Sequence, residues 1–269
     1  MTFWPRIMVG AKLAWSQQLE YRFNLFVDST LQPMLTAVIE MALWYGIVKS
    51  LGAMGKIGGF PVESYLHYAL WTAFIARISA NWMYEYRMID EVQTGSVNVI
   101  LTRPISFYFF YLSQFLSYKV LTTVVSLGIP LVISLWIVEG PTDVSRLPLA
   151  LSLVSLYLVL IYTLSFIVTC FAFTLNKVNS FTAAKNFTIW CLSGELIPID
   201  LAPPMLKSIL LNLPFASGAF VPVGYVTGRV EIDLVWHSFM VTLVSIAVVG
   251  VIAYVLWKRG LRSYSGTGA

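Results

Sequence analysis

Hydrophobic positions along this chain gather into six long stretches divided by short polar gaps. About 20 apolar residues in a helix span the hydrocarbon core of a bilayer. Each stretch is therefore read as a membrane span: residues 24–48, 64–84, 107–138, 147–175, a fifth from about 183, and 234–257. The third is long enough to tilt or to begin in the interface. Ahead of the first, Trp4, Ile7, Met8, Ala11, Trp15 and Leu19 recur at helical spacing. That pattern predicts an amphipathic helix over residues 1–23 lying in the membrane interface, the alternative being an extension of the first span. Arg6, Lys12, Glu20 and Arg22 interrupt any apolar core of a cleavable signal peptide.

The polar gaps differ in character. Residues 52–59 are glycine-rich and flexible by composition, and residues 139–143 have the chemistry of a turn. The second gap, residues 85–106, is charged: it holds Glu85, Arg87, Asp90, Glu91 and Arg103 before Pro104. A short helix is expected around Asp90 to Gly95, with Glu91 and Gly95 on one face. After the fifth stretch the pattern breaks. Gly194 and Glu195 lead into Pro198, Pro203, Pro204, Pro214 and Pro222. Proline inside a helix removes a backbone hydrogen bond and clashes with the preceding turn. Residues 195–231 are therefore expected to form short helices that enter the membrane partway and return, shielded by protein. The fold class that follows is an all-α membrane protein: one domain over residues 1–269, six transmembrane helices, an interface helix and a re-entrant region between helices five and six.

Composition supports that class. Of 269 residues 58% are hydrophobic and 11% charged, against about a quarter charged in soluble domains. Little chain remains for a separate catalytic domain. The formal net charge is +4, but the basic residues are scattered beside apolar stretches, which speaks for membrane topology and against nucleic acid. Six spans put both termini on one side. That side would hold Arg6, Lys12, Arg22, Arg87, Arg103, Lys177, Lys185, Lys258, Arg259 and Arg262, and the other Lys49, Lys56, Arg146, Lys207 and Arg229. Ten against five puts both termini in the cytoplasm, residues 85–106 beside them and residues 195–231 outside. No internal repeat supports an inverted-repeat transporter.

No residue set for bond-breaking chemistry is legible. Walker A, HExxH and GxSxG motifs are absent. Cys170 and Cys191 are two lone thiols inside spans, read as buried apolar residues. His67 and His237 sit near the outer ends of spans and are read as interface residues. Charges within spans need partners, because each costs about 2.5–3.5 kcal/mol at the bilayer centre. Asp28 and Arg77 lie at similar depth, which makes them candidates for an ion pair. Lys119 and Glu40 are read as facing polar interior or interface. Trp71, Phe74, Trp82 and Trp190 could line an amphipathic path, or simply pack.

The segment Glu91-x-x-x-Gly95 followed by Leu101-Thr102-Arg103-Pro104-Ile105-Ser106 resembles the cytoplasmic loop of type-2 ABC exporter permeases. Ser193-Gly194 to Pro198, with Leu213-Pro214-Phe215, Pro222 and Gly228, is similar to that family's re-entrant region. Span count and order resemble the family over nearly the whole chain, most closely an uncharacterised bacterial branch with paired permeases. The resemblance implies a permease in the bacterial inner membrane, set in lipid beside a second copy or a paralogous six-span permease. It implies two ABC ATPase subunits below them, which would carry ATP and Mg, with no cofactor on this chain. It also implies an ATPase-coupling role for Asp90, Glu91, Thr94, Gly95 and Arg103. An ion-coupled secondary transporter using Asp28, Glu40 and Arg77 as relay groups, and a membrane scaffold without transport activity, are the alternative readings.

Overall fold

The computed structural model describes residues 12, 14–50, 56–58, 60–80, 82–136, 142–175 and 177–264. Most of the expected interface helix, including Trp4, Ile7, Met8 and Ala11, lies outside the described residues, as do residues 51–55, 137–141 and Asn176. Residues 14–20 are helical, with Trp15 and Leu19 exposed.

Four helices are long and apolar enough to cross a membrane: Arg22–Ser50, Phe107–Trp136, Val144–Phe171 and Ile232–Ser263. We number the helices in chain order. Helix α1 is Arg22–Ser50, with a π-turn over Val27–Leu31. Next come α2 (Val62–Ser79), α3 (Trp82–Gln93) and α4 (Val97–Leu101). Then follow α5 (Phe107–Trp136), α6 (Leu147–Phe171) and α7 (Asn179–Leu192). The last three are α8 (Pro204–Leu211), α9 (Phe220–Val226) and α10 (Ile232–Ser263). Before α2, the two-residue strands β1 (Lys56–Ile57) and β2 (Phe60–Pro61) form a small antiparallel hairpin where the sequence suggested only flexible loop.

The boundaries correct the sequence reading in three places. The expected second span ends early: α2 stops at Ser79 and the chain turns extended at Ala80 before α3 begins. Helix α3 then draws Tyr84, Glu85, Met88, Ile89 and Val92 into the bundle and leaves Tyr86, Arg87, Asp90 and Gln93 outside. That i, i+1, i+4, i+5, i+8 stripe is an amphipathic helix packed along the bundle. Helix α7 starts at Asn179, before the expected 183, and its 14 residues extend only about 21 Å at 1.5 Å per residue.

The prolines after α7 act as starters, not breakers. Pro204 opens α8 and Pro214 opens a 3-10 turn over Pro214–Gly218. Pro222 lies in the first turn of α9. First-turn N–H groups have no intrahelical acceptor, so proline costs nothing there. Pro203 stands exposed just before α8, and Pro198 is buried before a 3-10 turn at Ile199–Leu201. Helix α9 is buried along nearly its whole length against α2, α6 and α10, while α8 exposes Met205, Leu206 and Ile209. Gly194, at φ +80°, makes the turn into this region possible; a Cβ there would come within 2.7 Å of the Phe220 side chain.

The core runs through α2, α3, α5, α6, α9 and α10. At one end, Trp257 stacks on Phe107 at 5.1 Å, and its ring also meets Phe166 and Phe173. At the other, the Asp143 carboxylate accepts from the Ser145 hydroxyl at 2.6 Å and its N–H at 3.0 Å. These bonds hold the exposed Asp143 carboxyl below its ordinary range, aided by Arg146.

Candidate functional site

Polar chemistry gathers at three places in the bundle. The first is the π-turn of α1. Gln32 donates its N–H to Val27 O, one residue beyond the α-helical acceptor. Pro33 has no N–H, so Asp28 O and Ser29 O are left without intrahelical donors. Neighbouring helices supply them: Arg77 Nε donates to Asp28 O at 2.9 Å, and Ser126 Oγ donates to Ser29 O at 2.7 Å. The freed carbonyls thus tie α1 to α2 and α5.

The intramembrane charges of the sequence analysis converge here. Arg77 Nη2 pairs with Asp28 Oδ1 at 2.9 Å, and Tyr118 donates to Asp28 Oδ2 at 3.4 Å. Lys119 is buried, and its Nζ donates to Arg77 O at 3.3 Å beside the Phe115 and Tyr118 rings. A cleft of about 500 Å³ opens below, lined by Gln17, Tyr21, Asn24, Asp28, Arg87 and Tyr118. Glu40 is apart from this cluster: it lies half-buried on α1 within electrostatic reach of Glu195.

The second place is the elbow between α3 and α4. Helix α3 ends as Gly95 enters the left-handed region at φ +80°, with Thr94 N–H donating to Asp90 O at 2.8 Å. Gly95 is therefore outside the helix and does not share a helical face with Glu91. Glu91 departs further from expectation. It is half-buried and accepts a hydrogen bond from the Tyr111 hydroxyl, anchoring α3 to α5. Asp90 is the outward acid, with Thr94, Ser96 and Arg103 exposed beside it. The elbow touches two other chain segments: Gln93 donates to Leu175 O at 3.4 Å, and Tyr264 donates to Gly95 O at 3.4 Å. One end of the bundle thus collects the α3–α4 elbow, the tail of α6 and the tail of α10.

The third place consists of two buried ion pairs that the sequence reading missed. The charge pattern along the sequence places both Lys185 and Arg229 on membrane faces. Instead Lys185 pairs with the fully buried Glu85 and donates to Ser165 Oγ at 2.7 Å, joining α3, α6 and α7. The Arg229 side chain is wholly buried. It pairs with Asp200 at 2.8 Å, donates to Ser64 Oγ at 3.0 Å and lies over the Tyr65 and Phe60 rings at 4.2 and 4.3 Å. A charge enters a bundle only with a partner of matching depth. No local pattern on α7 or after α9 shows that partner. Removing one residue from each side leaves nine against four, so the bias in charge survives.

Other candidates resolve plainly. Trp71 and Phe74 are fully buried, and Trp71 donates to Ser134 Oγ at 3.0 Å, so both pack. Trp190 is 40% exposed; the Trp82 side chain lies outside the described residues. Cys170 is buried, but Cys191 is exposed on α7. His67 is buried against Thr142 at 2.7 Å, and His237 is exposed. Among the described residues no three His, Cys, Asp or Glu side chains group as metal ligands.

The family described as "ABC-2 family transporter protein" matches this chain over residues 34–268. No curated protein matches it. The chain belongs to the ABC-2 transporter family. It is a transmembrane permease component of an ABC transporter, a class that associates with an ABC ATPase.

Proposed function

We propose that this ABC-2 permease is the translocating subunit of an ATP-driven exporter in a bacterial inner membrane. The observation that carries the reading is the elbow of α3 and α4. It presents Asp90, Thr94 and Arg103 outward while its inner face is locked to three other helices. An ATPase can shift a bundle only through contacts that differ between its two states. A rigid amphipathic strut that joins α2 to α5 is suited to pass such a shift on. In this reading ATP and Mg belong to two ATPase copies docked below, and a second permease completes the path. Helices α2 and α7 act as the second and fifth spans. Helix α7 is short for a bilayer, and α8 and α9 continue the apolar region from it as a re-entrant pair on the outer side. Both termini and the elbow face the cytoplasm.

Reconstitution with the cognate ATPase tests this. The expected result is a stable complex whose ATP hydrolysis drives export from the cytoplasmic side, lost when Asp90→Lys reverses the outward charge. Failure to copurify with that ATPase, or export unaffected by Asp90→Lys, overturns the assignment of the elbow.

A further inference from the structure

Between α2, α6 and α7 lies a cavity beside the Glu195 carboxyl, which has no basic ion-pair partner among the described residues. It holds about 140 Å³ and is lined by Ser79, Tyr157, Asn186, Trp190, Glu195 and Gly218 among others. At about 30 Å³ per water, that is room for four or five waters or one small organic group.

The polar groups around it are built in from several elements. Tyr157 is 1% exposed, and its hydroxyl is buried with no hydrogen-bond partner among the described residues. Its phenol tip closes on Gly218, where a Cβ would stand 2.9 Å from the hydroxyl. The same hydroxyl lies within electrostatic reach of Glu195. Ser79 Oγ donates to Gly218 O at 2.7 Å, and Glu195 N–H donates to Ser193 Oγ at 3.2 Å. These bonds fix the rim without neutralising the carboxylate. Glu40, from α1, lies within electrostatic reach of Glu195 but outside the cavity lining.

Among the described residues neither Glu195 nor Glu40 has a Lys or Arg within salt-bridge distance. Lys185 precedes the cavity-lining Asn186 in sequence, yet it is committed to Glu85 and Ser165. Elsewhere in this bundle the buried Glu85 and the half-buried Asp28 and Asp200 each hold a basic partner. Glu195, like Glu91, holds no such partner among the described residues, but only Glu195 faces a cavity. An ionised carboxylate in low dielectric carries a desolvation cost, and a cation beside it offsets that cost.

We propose that this cavity binds a protonated amine of the transported molecule. Glu195 is the counter-ion, and the Tyr157 hydroxyl and the Asn186 side-chain oxygen accept the remaining ammonium N–H groups. The Trp190 side chain, hydrogen-bonded to Glu195, lines the same space. A bare alkali ion would fill only a small part of the space, whereas an alkylammonium head fits both the volume and the aromatic lining. The proposal rests on the exporter reading and adds the substrate class to it: molecules that carry a free amine.

Photolabelling of the purified full chain tests it. Two short alkyl diazirine probes are compared, one ending in an ammonium group and one in a hydroxyl. The ammonium probe should label the peptide around Asn186 to Glu195 about tenfold more than the hydroxyl probe, the ratio that 1.4 kcal/mol of added binding gives. Butylammonium chloride should compete, and sodium or potassium chloride at equal concentration should not. Glu195→Gln should erase the excess and Tyr157→Phe should lower it. Equal labelling by both probes in the unaltered protein overturns the proposal, whether or not the variants fold. Competition by sodium as strong as by butylammonium overturns it in favour of an alkali-ion site. Labelling needs no ATPase, so its failure leaves the exporter reading standing. Absence of ATP-driven export would reject that reading with the cation site intact.

Discussion

Arg77 grips Asp28 at two points: its Nε donates to the Asp28 backbone oxygen, and its Nη2 pairs with the Asp28 carboxylate, both at 2.9 Å. One guanidinium therefore serves as hydrogen-bond cap for a π-turn and as counter-ion for an acid within the span. The planar, forked donor set of arginine makes both contacts possible at once, which a lysine ammonium does not reproduce.

Arg77→Ala should destabilise the protein by about 2–3 kcal/mol, since it strands both a carbonyl and a mostly buried carboxylate. Asp28→Asn in that background should recover only part of the loss, because the backbone oxygen stays uncapped. Thermal unfolding of the four members of the cycle in detergent measures this. A coupling energy near zero would reject the pairing.

Pro33 is the covalent cause of the π-turn's free carbonyls, so restoring its N–H should make the neighbouring caps redundant. Ser126→Ala should cost about 1 kcal/mol in the parent and much less in Pro33→Ala. Equal costs in both backgrounds would show that Ser29 O does not depend on Ser126.

Breaking the Glu85–Lys185 pair should be the most damaging single change in the bundle. Glu85→Gln or Lys185→Met should each cost about 3–5 kcal/mol by leaving one buried charge unanswered. The double variant should lose less than the two singles together. Yield of folded protein and its unfolding temperature report both comparisons.

Stability and coupling should separate at the elbow. Gly95→Val places a branched residue at φ +80° and should destabilise by about 1–2 kcal/mol. Glu91→Gln should weaken the anchor to Tyr111 and lower the unfolding temperature. Asp90→Lys should leave that temperature unchanged while reducing recovery of the ATPase. If Asp90→Lys instead unfolds the protein, Asp90 belongs to the scaffold and not to the docking face.

Topology offers a check independent of any partner. Arg103→Cys should react with an impermeant thiol reagent only after the cells are opened. Asp143→Cys should react in intact cells, provided Cys191 is first replaced by Ser. The reverse result would invert the proposed orientation.

Much of the architecture was legible from composition alone. In hydrocarbon every backbone polar group must be paired, and an unbroken apolar run of about 20 residues does so as a helix, being too long and too uniform for a barrel strand. That fixed the long helices α1, α5, α6 and α10 to within a few residues at most of their ends. The Asp28–Arg77 contact was also legible, because depth along two adjacent spans is a matter of counting. What the sequence could not decide was which neighbour each side chain meets. Lys185 and Arg229 look like membrane-edge charges until Glu85 and Asp200 are brought beside them by helices distant in the chain. Glu91 looks like a docking charge until Tyr111 packs above it, and Glu195 looks like a loop acid until Tyr157 and Asn186 close around it. The physical reason is one of range. Helical periodicity sets the face on which a residue lies, but the partner covering that face is chosen by packing among helices that contribute to it from a hundred residues away.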